Sequence, residues 1–334
     1  MLGGRAFTKP LPFGLGTNGG MIDYGLDTPG LTAAKGMGLG WWREEVPWNF
    51  VKPSGITGFN LVAGTYLQST ATTAATMVAA IKSYGMKPLL VVTVNNAPGL
   101  SATWTSGIPC TPAQFAAAMG WLVAQPGLQG IDWELFNEPD GVAWGITPAL
   151  LTSAFQLAYP AMKAADPTCT VHASATENFS LINGGQGVQY LNSCFAALPT
   201  WFNYYDVGGV HGYTPDPTYS YNIAPNAVSA YGVPFWRGVA NFQAARIAAG
   251  DTKPLMITEC GFQHTGTTGA SPQSQAQWLQ DLLLSLSGLD PINGVPFSSY
   301  LKGVIQFAMN NSGANWGIVG QPAVSVLTKL VSGH

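Results

Sequence analysis

The sequence predicts an α/β chain folded as a (β/α)8 TIM barrel, and three observations carry that expectation. Short apolar runs alternate with longer helix-like segments eight times along the 334 residues. The run Lys87-Pro88-Leu89-Leu90-Val91-Val92-Thr93-Val94 is β-branched and continuously apolar, as a strand covered on both faces should be. No linker, low-complexity stretch or fixed-period repeat interrupts the alternation, so residues 1–334 read as a single catalytic-size domain with elaborated loops.

The elements follow in order. Strands are expected at residues 12–17, 39–44, 87–94, 130–137, 169–174, 205–211, 253–259 and 301–309. Helices are expected between them at roughly 29–37, 70–84, 111–124, 147–165, 186–197, 226–249, 273–286 and 322–332. The second helix runs out at Ser83-Tyr84-Gly85, with a glycine suited to a left-handed cap. Thr111-Pro112-Ala113-Gln114 sets a capping threonine before proline at the first helical position and glutamine three residues on. Thr147-Pro148 and Ser271-Pro272 repeat that start. The connections 44–69, 95–110 and 212–226 are long and follow strands, which in a barrel places them on the carboxyl face where sites form. They carry Trp48, Tyr66, Trp104, Tyr213, Tyr219 and Tyr221, about two of which are expected to offer a ring face to a ligand while the others pack the loops on the rim.

Composition excludes several classes. No run of 18 apolar residues marks a membrane span. Charged residues are only 9% of the chain, net charge is −3, and the basic residues form no stripe, which argues against nucleic acid as a partner. A surface polar through Thr, Ser, Asn, Gln and Gly suits work on neutral polymers outside the cell. The first ten residues lack the apolar segment of a signal peptide. Extracellular action after removal of a leader, release by lysis, or carriage on a virion is therefore the expected localisation. Cys110, Cys169, Cys194 and Cys260 form no Cys-x-x-Cys pair. Cys169 and Cys194 are the nearest candidates for a bridge, with buried free thiols the equal alternative. Oligomeric state leaves no trace in the sequence.

The residues that carry chemistry are two glutamates at strand ends. Ile131-Asp132-Trp133-Glu134-Leu135-Phe136-Asn137-Glu138-Pro139 reads as a buried strand ending in Asn-Glu-Pro. Pro254-Leu255-Met256-Ile257-Thr258-Glu259 closes another. Two carboxyls on separate strands can divide the labour of glycoside cleavage, one as proton donor and one as nucleophile. Glu138 is the acid/base candidate: desolvation and a neighbouring carboxylate raise a carboxyl pKa. Glu259 is the nucleophile candidate and must stay ionised. The bland alternatives are a helix cap or surface pair for Glu138 and a solvated strand end for Glu259.

Trp133-Glu134-Leu135-Phe136-Asn137-Glu138-Pro139 and Ile257-Thr258-Glu259-Cys260-Gly261 resemble the fourth- and seventh-strand signatures of the glycoside hydrolase clan A barrels, and most closely family 39 and its relatives. The likeness spans residues 12 to 330, though only the short motifs are specific. It implies retention of configuration, Glu138 as acid/base, Glu259 as nucleophile and Asn137 on the sugar 2-hydroxyl. Leu39-Gly40-Trp41-Trp42-Arg43-Glu44-Glu45-Val46-Pro47-Trp48 is similar to the clan's second strand, where an arginine lies near the nucleophile. Arg43 is expected to hold Glu259 ionised, or to neutralise Glu134. Glu44 and Glu45 are rival carboxylates, one of them expected in a structural ion pair with a loop cation. His211 and Tyr213 share a phase at the end of the sixth strand, where the clan contacts the nucleophile or the sugar; packing in the barrel wall is the alternative for His211. The last strand departs from the clan. A tryptophan is often found near its end, and here the nearest is Trp316, which with Trp48 is a candidate sugar platform.

These residues imply a retaining β-glycoside hydrolase acting on a poly- or oligosaccharide, with no cofactor. A carbohydrate-binding barrel without catalysis is the competing expectation. It would need neither Glu138 nor Glu259. A metal-dependent hydrolase is disfavoured because the histidines, His172, His211, His264 and His334, form no His-x-His pair.

Overall fold

The computed structural model describes residues 11–19, 28–47, 65–93, 111–140, 146–176, 186–213, 235–262, 271–290, 292–306 and 317–332. Within them eight strands alternate with eight helices: β1 (Gly14–Asn18), α1 (Thr28–Gly36), β2 (Trp41–Pro47), α2 (Thr65–Ser83), β3 (Lys87–Thr93), α3 (Pro112–Val123), β4 (Asp132–Leu135), α4 (Pro148–Ala165), β5 (Thr170–His172), α5 (Gln186–Ala197), β6 (Gly208–Tyr213), α6 (Phe235–Ala248), β7 (Leu255–Gly261), α7 (Pro272–Leu286), β8 (Leu301–Gln306) and α8 (Pro322–Ser332). The strands form one parallel sheet in the order β5-β4-β3-β2-β1-β8-β7-β6.

A short seam brings the two edge strands together. His172 pairs in parallel with Val207, and the Ala173 N–H donates to the Val207 carbonyl at 2.8 Å. Farther up, the His211 N–H donates to the Thr176 carbonyl at 3.2 Å. Gly209 makes this approach possible, since a Cβ there would meet the Ala173 carbonyl oxygen at 2.3 Å. The barrel is therefore the expected (β/α)8 architecture, with strand tips β5 and β6 as its narrowest join.

The helix signals have physical counterparts. The Thr147 hydroxyl accepts the Leu150 N–H at 3.3 Å, ahead of Pro148 at the first turn. Ser271 and Ser274 form a reciprocal capping box. Gly85 ends α2 at φ +83°. Outward-facing strand residues such as Leu90, Val92, Trp133, Leu135, Val171 and Val304 pack beneath the helices in one large core. Inside the barrel, Trp41, Leu89, Val207, Met256 and Ile305 form a separate apolar plug. Each side chain so buried contributes about 1.5–3 kcal/mol.

At the amino ends of the strands lies a charged cluster. His172 Nε2 meets Asp132 Oδ2 at 2.8 Å, and Lys302 Nζ donates to the same oxygen at 3.1 Å. Lys302 and Lys87 also lie over the Trp41 ring, 5.1 and 5.2 Å from its centroid.

One expectation is corrected: β4 stops at Leu135 rather than 137, for a reason given below. Of the two readings open for Cys169 and Cys194, the structure has the thiols: both are buried and free, as is Cys260, whose S–H donates to the Ile305 carbonyl at 3.4 Å. Burial holds Cys169 protonated, its pKa pushed up to about 11. Cys110 lies outside the described residues. No helix among the described residues is long and apolar enough to cross a membrane.

Candidate active site

The exit of β4 departs from the plain alternation of a strand. An extended chain would turn Glu134, Phe136 and Glu138 to one face and Asn137 to the other. Here Phe136 takes φ +65° and Glu138 φ +45°, a conformation uncommon for side chains with a Cβ and costing about 1–3 kcal/mol each. The first left-handed residue turns Phe136 outward, where its ring stacks on Phe115 of α3 at 4.7 Å and sits 6.1 Å from Phe155 of α4. Asn137 and Glu138 then both reach the barrel mouth, although they are adjacent in sequence. Asn137 also bridges to Ala175 beyond β5. The aromatic packing of Phe136 supplies the energy that holds the kink.

Arg43 is the hub of the site. Fully buried on β2, it donates from Nε to Glu134 Oε2 at 2.9 Å, from Nη2 to Asn137 Oδ1 at 2.8 Å, and from Nη1 to Glu259 Oε1. Both roles expected for Arg43 are thus filled at once, because a guanidinium has a fork of donors and a lysine has not. Burial alone would pull its pKa down, but Glu134 and Glu259 outweigh this and raise it, so the cation is fixed. Thr258 completes the shell of Glu134, its hydroxyl donating to Oε1 at 3.1 Å.

His211, at the end of β6, is buried and belongs to the site rather than to the barrel wall alone. Its Nδ1 lies 2.8 Å from Glu138 Oε1, 3.8 Å from Glu259 Oε2, and its Nε2 lies 3.7 Å from Glu134 Oε1. Burial lowers its pKa, yet the Glu259 charge and the Glu138 hydrogen bond prevail and raise it. One carboxylate oxygen of Glu138, one of Glu259 and a ring nitrogen of His211 lie within 4.8 Å of one another. Three such groups could surround a cation, but the Arg43 guanidinium already supplies a positive charge against Glu259. Glu138 is the more open carboxyl, 17% exposed against 6% for Glu259.

Glu44 and Glu45 separate by strand phase. Glu44 turns away from Arg43 and accepts the Trp42 indole N–H at 3.1 Å. Glu45, in phase with Arg43, is buried inside the barrel. Burial is the main cause that raises its pKa to about 7; Arg43 opposes the rise, and Glu259, Glu138 and Glu134 add to it. The sequence flagged Glu45 only as a rival carboxylate, and alternation along Trp41–Pro47 was the signal that could have placed it with Arg43. The phase break at Phe136 left no comparable signal. Trp48 and Trp316 lie outside the described residues, as do Trp104, Tyr219 and Tyr221. Tyr213 ends β6, and its side chain is outside the described set.

No protein-family model matches the sequence, and no curated protein matches it. Solved structures do match the fold. A GH5_18 enzyme from Streptomyces cattleya, solved with GlcNAc, superposes with a TM-score of 0.66 at 13% identity, over 97% of this chain and 80% of that one. A family 39 glycoside hydrolase from Bacteroides cellulosilyticus WH2 matches with a TM-score of 0.60 at 16% identity, over 94% of this chain and 63% of that one. Beta-glucosidase 1317 gives a TM-score of 0.60 at 14% identity, over 91% and 86%. The architecture they share with this chain is the (β/α)8 barrel.

Proposed function

We propose that this chain is a retaining β-glycoside hydrolase acting on a neutral poly- or oligosaccharide. The observation that carries the proposal is the approach of Glu138 and Glu259, from the ends of β4 and β7, to within 4.8 Å oxygen to oxygen. Two carboxyls so close fit the short spacing of about 5–5.5 Å that suits direct attack on the sugar; inverting pairs, which seat a water against the sugar, sit roughly 6.5–9.5 Å apart. Fold neighbours named as a beta-glucosidase, a family 39 glycoside hydrolase and a GH5_18 protein support the same class.

In the first step, a Glu259 oxygen attacks the anomeric carbon while Glu138 gives its proton to the departing glycosidic oxygen. The C–O bond to the leaving group breaks as the glycosyl ester forms. Arg43 holds Glu259 charged and aimed, and fixes Asn137 beside it for a sugar hydroxyl. His211 shares the Glu138 hydrogen bond and so orients the acid. In the second step Glu138, now a base, takes a proton from water, which displaces Glu259 with a second inversion and restores the original configuration.

Chemical rescue tests the assignment. Glu138→Ala should lower turnover of an unactivated substrate about 10²–10⁴-fold, and azide should restore activity on an activated aryl glycoside with a product of retained configuration. Glu259→Ala with azide should give the inverted glycosyl azide. Exchanged products would exchange the roles. Wild-type turnover in either variant would refute the site. A parent chain that binds but cleaves no member of a broad glycan panel would leave the carbohydrate-binding alternative.

A further inference from the structure

Each glutamate assigned to the chemistry follows a break in the alternation of its strand. In β4 the break is the left-handed Phe136. In β7 it is a one-residue slip of register. Val210 of β6 pairs with Ile257 and His211 with Glu259, so Thr258 is the extra residue. Toward β8 the register slips as well, Ile257 pairing with Val304 and Cys260 with Gln306. Met256 belongs to the plug inside the barrel, and Ile257 and Cys260 to the core outside it. Plain alternation from Met256 would send Thr258 inward and Glu259 outward. The bulge turns both inward, as bulges beside active sites re-aim a side chain. One carboxylate meets the anchors of both neighbours. Glu134 of β4, fully buried, accepts the Thr258 hydroxyl at Oε1 (3.1 Å) and Arg43 Nε at Oε2 (2.9 Å), while Arg43 Nη1 donates to Glu259. His211 Nε2 lies 3.7 Å from Glu134 Oε1.

We propose that Glu134 is a positioning residue of this reaction: it pins the β7 bulge that turns Glu259 into the barrel, and it takes a share of the Arg43 charge that would otherwise fall wholly on Glu259. This rests on the assignment of Glu259 as nucleophile. The Thr258 hydroxyl fixes the residue before the nucleophile, and Arg43 fixes the nucleophile itself. Both end on one carboxylate of β4, so the strand that carries the acid also sets the place of the nucleophile. A guanidinium serving Glu259 alone would hold its electrons more tightly and make it a poorer nucleophile. Divided between two carboxylates, the same cation keeps Glu259 ionised and still able to attack. The charged and titratable groups around Glu134 are Arg43 and Glu45 of β2, His211 of β6, Glu259 of β7 and Glu138 beyond β4. Arg43 touches both Glu134 and Glu259, so removing the Glu134 charge is felt at Glu259.

Steady-state kinetics of the full chain on an activated aryl glycoside test both parts. Glu134→Gln keeps the shape of the side chain and loses its charge. The acid limb of kcat/KM, set by protonation of the nucleophile, should then move down by about one pH unit or more, the effect of removing a charge within about 10 Å at an effective dielectric of about 20. Thr258→Val keeps every charge and the β-branched shape but loses the hydroxyl. There the acid limb should stay, while kcat falls about 10²-fold, as for a nucleophile misplaced by about 1 Å, and KM changes less. Thr258→Ser, which restores the hydroxyl, should recover kcat. An unmoved acid limb in Glu134→Gln would overturn the proposal, and so would parent kcat in Thr258→Val. Should Glu134→Gln fail to fold, the Thr258 variants decide: a serine variant no better than the valine one refutes the pinning role. If Glu259→Ala yields no inverted glycosyl azide, the nucleophile assignment itself fails. If it yields that product while the acid limb of Glu134→Gln stays, only the role given to Glu134 fails.

Discussion

The two ends of this barrel are both charged, and they are built on opposite plans. At the amino end one carboxylate, Asp132, is shared by His172 and Lys302, with Lys302 and Lys87 flanking Trp41. Burial would raise the Asp132 pKa, but the His172 and Lys302 partners outweigh it and lower it. At the carboxyl end four carboxyls crowd one arginine and one histidine, Glu45 is driven toward the neutral form, and two residues of β4's exit take left-handed backbone. The same strand, β4, serves both ends. Cations outnumber the one carboxylate at the amino end, and carboxyls outnumber the cations at the end where the proposed chemistry lies.

Breaking the upper cluster should have the largest effect. Arg43→Met leaves Glu134 and Glu259 buried without their cation, which should cost about 3–5 kcal/mol of folding stability together with activity; denaturant titration and steady-state kinetics measure both. Arg43→Lys should recover part of the stability and little of the activity, because an ammonium cannot reach Glu134, Asn137 and Glu259 at once. Equal recovery of both would show that charge alone matters.

Glu45 sharpens the contrast. Its folded pKa of about 7 lies above the ordinary 4.5, so its contribution to stability is fully present below pH 4.5 and is lost as pH rises to about 7. Glu45→Gln removes that loss. At pH 8 the variant should gain about 2–3 kcal/mol relative to its difference from the parent at pH 4. A difference independent of pH would contradict the unbalanced plan of the upper end.

The lower cluster should respond least and in the reverse sense. The folded pKa of Asp132 is depressed, so its contribution is present above the ordinary aspartate value and lost as pH falls through the folded one. Asp132→Asn should cost about 1–2 kcal/mol at pH 7, shrink toward zero in acid, and leave kcat/KM as it was. A change in the pH profile of catalysis would tie the two ends together.

Much of this was legible beforehand because it follows from periodicity. Apolar runs and capping residues placed the strands and helices, with bounds such as 322–332 for α8 matching the structure. Glu138, Glu259, Asn137, Arg43 and His211 converge because strand ends in a barrel share one face. What escaped depends on contacts distant in sequence. Nothing local says that Phe136 finds Phe115 and Phe155 outside the barrel, and that packing is what shortens β4. Nor does a cysteine pair 25 positions apart reveal that Cys169 and Cys194 remain thiols. Glu45 was recognisable as a carboxyl but not as one with a raised pKa, since that reflects burial and charges from three strands.

The left-handed backbone at Glu138 bears on how such a chain can evolve. At φ +45°, glycine or asparagine would sit with less strain than glutamate, whereas valine or isoleucine would be worse. Drift that favours stability alone therefore leads away from the proposed acid/base toward a sturdier barrel. Glutamate at this position persists only while selection on turnover outweighs that pull.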